Sequence, residues 1–321
     1  MWGSKKKAGT GFGGRSTAEQ VTEGVDGSGL TAIVTGCTNG MGKETVRVFA
    51  KRGVHVFMAV RNLESAEKIR QEILKETPTA KVDMLKLDTS SFDSVRKCAD
   101  DFLALNLPLN ILICNAGIMI VPFELTKDGI ENQFATNYLG HFLLTNLLIG
   151  KMKTTAKESG IEGKIINVSS NGHHLVVYKE GIRFEKLNDK EGYSQFKAYG
   201  QSKLAQVMAT RELSRQLQEE GVNVTVNVVH PGAVRTNLVN GAKHGLFMRG
   251  ITAVLMNVLP TKNLAQGAAT QVYLALNPQA AGVTGKYYVD VNEADTPSKF
   301  AVDADMAKKL WDFSSQLTAQ A

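Results

Sequence analysis

Between a β-rich run, Thr31–Thr35, and a helix opened by Lys43-Glu44-Thr45 lies the loop Thr35-Gly36-Cys37-Thr38-Asn39-Gly40-Met41-Gly42. A tight turn that needs positive φ explains one glycine. Gly36, Gly40 and Gly42 together are better explained by a backbone that must approach a polyanion closely. Bare N–H groups at a helix N-terminus suit a pyrophosphate. A strand before the loop and a helix after it complete the arrangement that such a loop needs.

The rest of the chain keeps the same rhythm. Apolar β-rich runs occur at 54–60, 82–87, 111–114, 164–168 and 222–229, with helical stretches between most of them. Strands alternating with helices predict one α/β domain with a parallel sheet covered on both faces. Lys286–Val291 adds an edge strand, for about seven in all, and the domain runs over 30–321. Residues 1–29 read as an N-terminal arm, chiefly a solvated tail. In it Ser16-Thr17-Ala18-Glu19 forms a capping box before a short helix, and Gly24–Gly29 leads into the first strand.

Composition excludes several classes. The net charge of +6 lies largely in the arm, where Lys5, Lys6, Lys7 and Arg15 precede any acid. No folded basic face of the nucleic-acid type is present, so no nucleic-acid partner is expected. No apolar run is long enough to span a bilayer, and no apolar signal-peptide core follows the start. The arm's basic residues, with Trp2 and Phe12, predict a weak peripheral attraction to anionic lipid. Cys37, Cys98 and Cys114 are too few for a disulfide scaffold.

Ligands of open α/β sheets bind outside the carboxyl ends of the strands. There the second run offers Ala59-Val60-Arg61-Asn62, with an arginine where an acid would hold the ribose 2′-hydroxyl of NAD. A guanidinium suits a 2′-phosphate, which favours NADP(H). The third run ends in Asp88-Thr89, the fourth in Asn115-Ala116-Gly117, the fifth in Ser169-Ser170. The sixth leads into Pro231-Gly232-Ala233-Val234-Arg235-Thr236. Tyr199 and Lys203 stand one turn apart on a helix expected over 195–218. An ammonium so placed favours the phenolate, so the pair reads as a general acid/base, although the spacing alone also fits an exposed helix face.

Taken in order, these motifs resemble the short-chain dehydrogenase/reductase family over residues 30–291. They comprise T-G-x-x-x-G-x-G at 35–42, N-A-G at 115–117, Asn137 in T-N-Y-L-G-H-F and Ser170 closing N-V-S-S. Tyr199 and Lys203 in Y-G-Q-S-K and P-G-x-V-x-T at 231–236 follow. The chain is most similar to the retinol-dehydrogenase-like branch. Within that branch it resembles the plant subgroup linked to the protein translocon of the inner chloroplast envelope. It departs from the family at Met41 in the glycine loop and at Cys114, which stands where an asparagine is usual. His173 and His174 fall in an insert and are read as loop or pocket-wall residues, with no metal site.

The resemblance implies a Rossmann-like doubly wound fold and a catalytic tetrad of Asn137, Ser170, Tyr199 and Lys203. Tyr199 would exchange a proton with the substrate oxygen, and Lys203 would lower its pKa and bind the nicotinamide ribose. Ser170 would stabilise the oxygen as charge develops, and Asn137 would hold a water that links Lys203 to solvent. Gly36, Thr38, Asn39, Gly40, Met41, Gly42, Arg61, Asp88, Thr89, Asn115, Ala116 and Gly117 would line the cofactor groove. Pro231, Gly232, Val234 and Thr236 would orient the carboxamide. The expected reaction is NADP(H)-dependent exchange of a carbonyl and an alcohol on a small apolar substrate, under a lid near 237–262. Two other readings stay open: an NADP(H)-sensing component of a chloroplast membrane complex, and a specialised-metabolism reductase for a terpenoid, steroid or alkaloid carbonyl. The resemblance also leaves room for a homodimer.

Overall fold

The structure, a computed structural model, describes residues 9–234, 261–296 and 298–319. Strands of a parallel sheet are covered on both faces, and the inner strands 31–35 and 224–230 are buried at every position, Thr225 and Asn227 included. In chain order they are β1 (Thr31–Thr35), β2 (His55–Val60), β3 (Val82–Lys86), β4 (Ile111–Cys114), β5 (Gly163–Val168), β6 (Val224–His230), β7 (Tyr287–Val289) and β8 (Asn292–Ala294). They form one sheet in the order β3-β2-β1-β4-β5-β6-β7-β8. All neighbours are parallel except β7 and β8.

Among the described residues seven longer helices cover the two faces: α1 (Gly40–Lys51), α2 (Leu63–Glu76), α3 (Phe92–Leu103), α4 (Gly140–Ser159), α5 (Gln195–Glu219), α6 (Leu264–Leu276) and α7 (Ala304–Ala319). Successive residues of a strand point to opposite faces. Ile33, Leu112 and Ile165 therefore pack into one core with α3, α4, α5 and α7. Ala32, Val34, Ile111 and Ile166 pack into the other with α1, α2 and α6. From β1 the chain proceeds outward through β2 and β3, then crosses to β4 on the far side of β1. That reversal opens a crevice at the carboxyl ends of β1 and β4.

The sheet has one strand more than expected. After β7 the chain turns at Asp290 and Val291, both at positive φ, and returns as β8. Two left-handed central residues define a hairpin turn usually signalled by Asn-Gly or Gly-Gly. Asp-Val gives no such signal, so the strand was invisible in the sequence.

The arm differs more. Residues 9–29 lie against the domain: Ala18 and Val21 are wholly buried, and Phe12 meets the Tyr273 ring edge-on at 6.0 Å. The cap is shifted by one residue, with Thr17 and Gln20 bonding reciprocally before the short turn Gln20–Thr22. Glu19 instead pairs with Arg47 and Lys51 of α1, which hold its carboxyl down at about 2. The segment buries the apolar face of one turn against α6, so only its sequence, not its packing, looks like a tail. Phe12 is thus turned to protein rather than to lipid. Trp2, Thr236 and nearly all of the expected lid lie outside the described residues.

Replacing Val21 with Asp tests this packing. An uncompensated buried charge costs roughly 3–5 kcal/mol, so the melting temperature followed by circular dichroism should fall by several degrees. An unchanged melt would show that the segment's packing contributes nothing.

Candidate active site

At the head of the crevice the chain must solve a backbone problem. Beyond β4 the N–H groups of Asn115 and Ala116 turn away from the sheet ladder. The buried Thr35 hydroxyl accepts from both at 2.9 Å. Its own proton faces His141 Nε2 at 2.9 Å, while His141 Nδ1 lies 3.0 Å from the Asn137 carbonyl. A carbonyl only accepts, so Nδ1 carries the proton and Nε2 receives the threonine hydrogen. Burial holds the His141 pKa down to about 4, so the ring stays neutral and this tautomer persists at pH 7.

Next to this network the glycine loop is built for close approach. Gly36 and Gly40 have positive φ. A Cβ on Gly36 would come within 2.7 Å of Ala116, and one on Gly42 within 2.6 Å of both the Gly36 carbonyl and Asn115 Nδ2. Asn115 Nδ2 in turn donates to the carbonyls of Thr35 at 3.0 Å and Gly36 at 3.1 Å. Its Oδ1 is buried without a partner among the described residues. The N-terminus of α1 has no side-chain cap and no acid in its first turn, whereas Asn62 and Ser91 cap α2 and α3. A cradle of bare N–H groups, backed by an acceptor that a ribose hydroxyl could satisfy, fits a dinucleotide.

The other groove residues converge on the same edge. Arg61 is exposed just beyond β2, and Gly36 N–H is tied to the Ala59 carbonyl at 2.9 Å. The Lys86 ammonium donates to the Arg61 carbonyl, which places a second cation there. Asp88 turns its carboxylate back onto the Ser90 N–H and hydroxyl, and Thr89 packs its carbonyl where Gly140 has no side chain. After β6, Pro231 and Val234 are buried, and Gly232 has φ +90° with Lys262 against it. Val234 reaches Gly267 of α6, which Met41 also touches, so this loop closes the groove opposite α1. Thr38 and Asn39 lie in the glycine loop, with Asn39 exposed at the helix start.

The tetrad residues come together below the groove. Asn137 sits on a widened π-helical turn, Ala135–Leu139, that leads into α4. Such turns are frequent at functional sites. Its side chain exchanges hydrogen bonds with Ile118 N–H at 2.8 Å, the Ile118 carbonyl at 3.0 Å and the Ser202 hydroxyl at 2.9 Å. Tyr199 and Lys203 are buried on α5. Ser170 lies beyond β5, where its hydroxyl accepts from Gly172 N–H at 3.2 Å and stands on the Tyr199 side of that glycine. Lys203 Nζ is 5.7 Å from the Tyr199 ring centroid and donates to the Val168 carbonyl at 2.9 Å and Gln206 Oε1 at 3.1 Å.

The electrostatics differ from the expected depression of the phenol. Burial pushes the Tyr199 pKa up, and the Ser170 hydrogen bond only partly offsets it. Burial also pulls the Lys203 ammonium down to about 7. Desolvation disfavours charge on both groups, and in the protein alone it exceeds their mutual effect. Beneath Ser170, His173 bonds the Ser170 carbonyl at 2.7 Å and the Thr296 hydroxyl at 2.9 Å. No metal-binding cluster occurs among the described residues.

A sequence profile described as short chain dehydrogenase matches residues 30–180 and 187–246. The chain is a short-chain dehydrogenase/reductase. It is 55% identical over 312 residues to the short-chain dehydrogenase TIC 32 B, chloroplastic, of Brassica napus, covering 97% of this chain and 96% of that one. It is 39% identical to retinol dehydrogenase 14 of Mus musculus, over 89% of this chain and 85% of that one. A crystal structure of a Mycobacterium Paratuberculosis protein superposes with a TM-score of 0.72 and 31% identity, covering 93% and 97% of the two chains. Membership makes the chain an oxidoreductase that acts between alcohol and carbonyl with a nicotinamide cofactor. Among the described residues no helix is long and apolar enough to cross a membrane.

Sequence reasoning missed His141, Gln206 and Gly200. His141 stood in a quoted motif, and its one signal was a histidine inside an apolar helical run. Gly200 has none, because its reason lies elsewhere in the chain: a Cβ there would sit 1.9 Å from the Val176 carbonyl and 2.7 Å from that of Gly172. Gly200→Ala must therefore push the one-turn helix Gly172–Leu175 off α5, and Ser170 with it. A displacement near 1 Å can cost about 100-fold in rate. We expect kcat for carbonyl reduction to fall toward that figure with cofactor affinity retained. Unchanged kcat would show that Ser170 is positioned independently of this contact.

Proposed function

We propose that this family member is an NADP(H)-dependent reductase/dehydrogenase for a small apolar carbonyl or alcohol, with Asn137, Ser170, Tyr199 and Lys203 as its working residues. The observation that carries the reading is the meeting of Ser170 and Tyr199 at Gly172, where an added Cβ would lie 3.6 Å from Ser170 Oγ and 3.1 Å from the Tyr199 ring, with the Lys203 ammonium 5.7 Å from that ring's centroid. When bound, the reduced nicotinamide supplies a hydride to the carbonyl carbon. Tyr199 gives its phenolic proton to the carbonyl oxygen, and takes it back in the oxidative direction. Ser170 donates a hydrogen bond to the same oxygen, where donors count most because charge develops there. Lys203 supplies positive charge one turn from Tyr199 and a ribose contact. Asn137 anchors the 118 backbone and, through Ser202, the turn of α5 between Tyr199 and Lys203.

An apolar substrate is supported by the rim. Leu175 is 69% exposed at the end of the turn after Ser170, and Phe196 is 44% exposed in the first turn of α5. The retinol in one relative's name has the same apolar character. NADP(H) is supported by Arg61, whose guanidinium is free of carboxylates among the described residues, and by Lys86 bound to its carbonyl. A chloroplast location is supported by the names of the TIC 32 A and TIC 32 B relatives, both chloroplastic.

Two variants test this reading. Tyr199→Phe keeps the ring and removes the transferable proton. General acid catalysis contributes about 10²–10⁴-fold, so reduction of an aldehyde and ketone panel, followed at the NADPH absorbance, should fall at least to the lower figure while NADPH still binds. Near-normal turnover would reject Tyr199 as the acid. In Arg61→Asp, NADPH affinity should weaken roughly tenfold or more relative to NADH, the worth of a hydrogen bond to a charged group. An unchanged NADPH/NADH ratio would reject the 2′-phosphate assignment.

A further inference from the structure

No hydrogen bond joins Lys203 and Asn137 directly among the described residues, and the side chain that links them has no role in the reading above. Gln206 lies one turn beyond Lys203 on α5 and is 2% exposed. Its Oε1 accepts from the Lys203 ammonium at 3.1 Å, and its Nε2 donates to the Asn137 carbonyl at 2.9 Å. The amide is thereby oriented without ambiguity: the ammonium only donates and the carbonyl only accepts, so one end must be oxygen and the other nitrogen. The same Asn137 carbonyl takes its second hydrogen bond from His141, which leads through Thr35 to the backbone of Asn115 and Ala116. One unbroken chain of hydrogen bonds thus runs from Lys203 to the cofactor cradle, and Gln206 is its first link.

We propose that Gln206 is a positioning residue for this active site: it fixes the Lys203 ammonium relative to the Asn137 carbonyl and, by accepting from it, favours its charged form. The inference rests on Lys203 having the role given above. The contact matters because little else compensates that charge. Among the described residues the other acceptor is the Val168 carbonyl from β5. The titratable groups facing Lys203 are Tyr199 on its own helix, which burial keeps protonated, and His141 on α4, which is neutral. No described carboxylate pairs with it, so each hydrogen bond that favours the ammonium weighs heavily in a desolvated site. Behind Gln206 lies a cavity of about 20 Å³, lined also by His141, Thr145 and Asn167. That volume is the size of one water, and it leaves slack for an isosteric change.

The test reads Lys203 directly, in the protein without cofactor, by NMR titration of ¹³Cε-labelled lysine with Lys203→Ala used to assign the signal. Gln206→Met removes the acceptor, which disfavours the ammonium, so the Lys203 midpoint should fall by about one to two pH units. Gln206→Glu puts a carboxylate at the same distance, so the midpoint should rise by about one to three units. Kinetically, kcat should then be lost on raising the pH earlier in the Met variant and later in the Glu variant, with KM for the carbonyl substrate unchanged. A merely structural Gln206 would lower the melting temperature in both variants without moving the midpoint in opposite directions. Midpoints within half a unit of wild type in both variants overturn the proposal. The Glu variant reads the same contact if the Met variant does not fold. Failure of the catalytic reading is separate: it would appear as full turnover in Tyr199→Phe, with the Lys203 midpoints still measurable.

Discussion

The Thr35 hydroxyl is where the sheet, the cofactor cradle and the tetrad meet. At the reversal between β1 and β4 the strands part, and two backbone N–H groups lose the sheet partners that their neighbours have. Leaving the Ala116 N–H unpaired would cost roughly 1–3 kcal/mol; the Asn115 N–H is shared with the Ile113 carbonyl at 3.1 Å. Thr35 takes both, and its single proton commits His141 to one tautomer, which in turn fixes the direction of the bond to Asn137. A need created by topology is therefore met by a chain of polar groups that ends on the active-site helix. The network is fully satisfied, and a satisfied buried network specifies one arrangement where an apolar core would allow several.

Burial sets the chemistry of the site as much as proximity does. Tyr199 and Lys203 are drawn toward their neutral forms by the same desolvation, the phenol upward and the ammonium down to about 7. Even at its ordinary value, ionising a phenol at pH 7 costs about 4 kcal/mol, and here it costs more. The resting state is thus a protonated tyrosine beside Ser170, the state a proton donor requires. In the proposed mechanism the reverse reaction needs the phenolate and draws on positive charge near Lys203. On that reading the groups that hold the ammonium in place, the Val168 carbonyl and Gln206, bear on both directions.

The architecture was legible because its signals are local. Inner strands such as β1 and β6 read as apolar runs, and Gly36, Gly40 and Gly42 declare the cradle in one short loop. The residues on which the proposed chemistry rests were legible as motifs in family order. What stayed hidden depends on pairs distant in the chain. Gly200 is needed because Val176 approaches it, and His141 matters because Thr35 is behind it. The Asp290–Val291 turn lacks the usual turn residues, and the burial of Val21 depends on α6, which lies more than two hundred residues further on. The expected fall in the Tyr199 pKa came from spacing alone, which carries the attraction of Lys203 but not the desolvation that opposes it.

The N-terminal segment has a stake in the groove as well. Val291 is β-branched and held at φ 65°, a strained conformation that must be compensated. Its N–H is bonded to the Thr270 hydroxyl at 3.1 Å, and its carbonyl accepts from the Thr10 hydroxyl at 3.1 Å. Asn292 next to it receives the Thr10 N–H and donates to the carbonyls of Phe12 and Asp290. With the turn so fixed, Asp290 reaches Lys262 at 2.6 Å, and Lys262 N–H pairs with the Ala233 carbonyl at 2.8 Å. Pro231–Val234 is therefore held through Lys262 and Asp290 by residues 10–12 at the opposite end of the chain. Loosening that segment would free the wall of the groove that Pro231–Val234 forms.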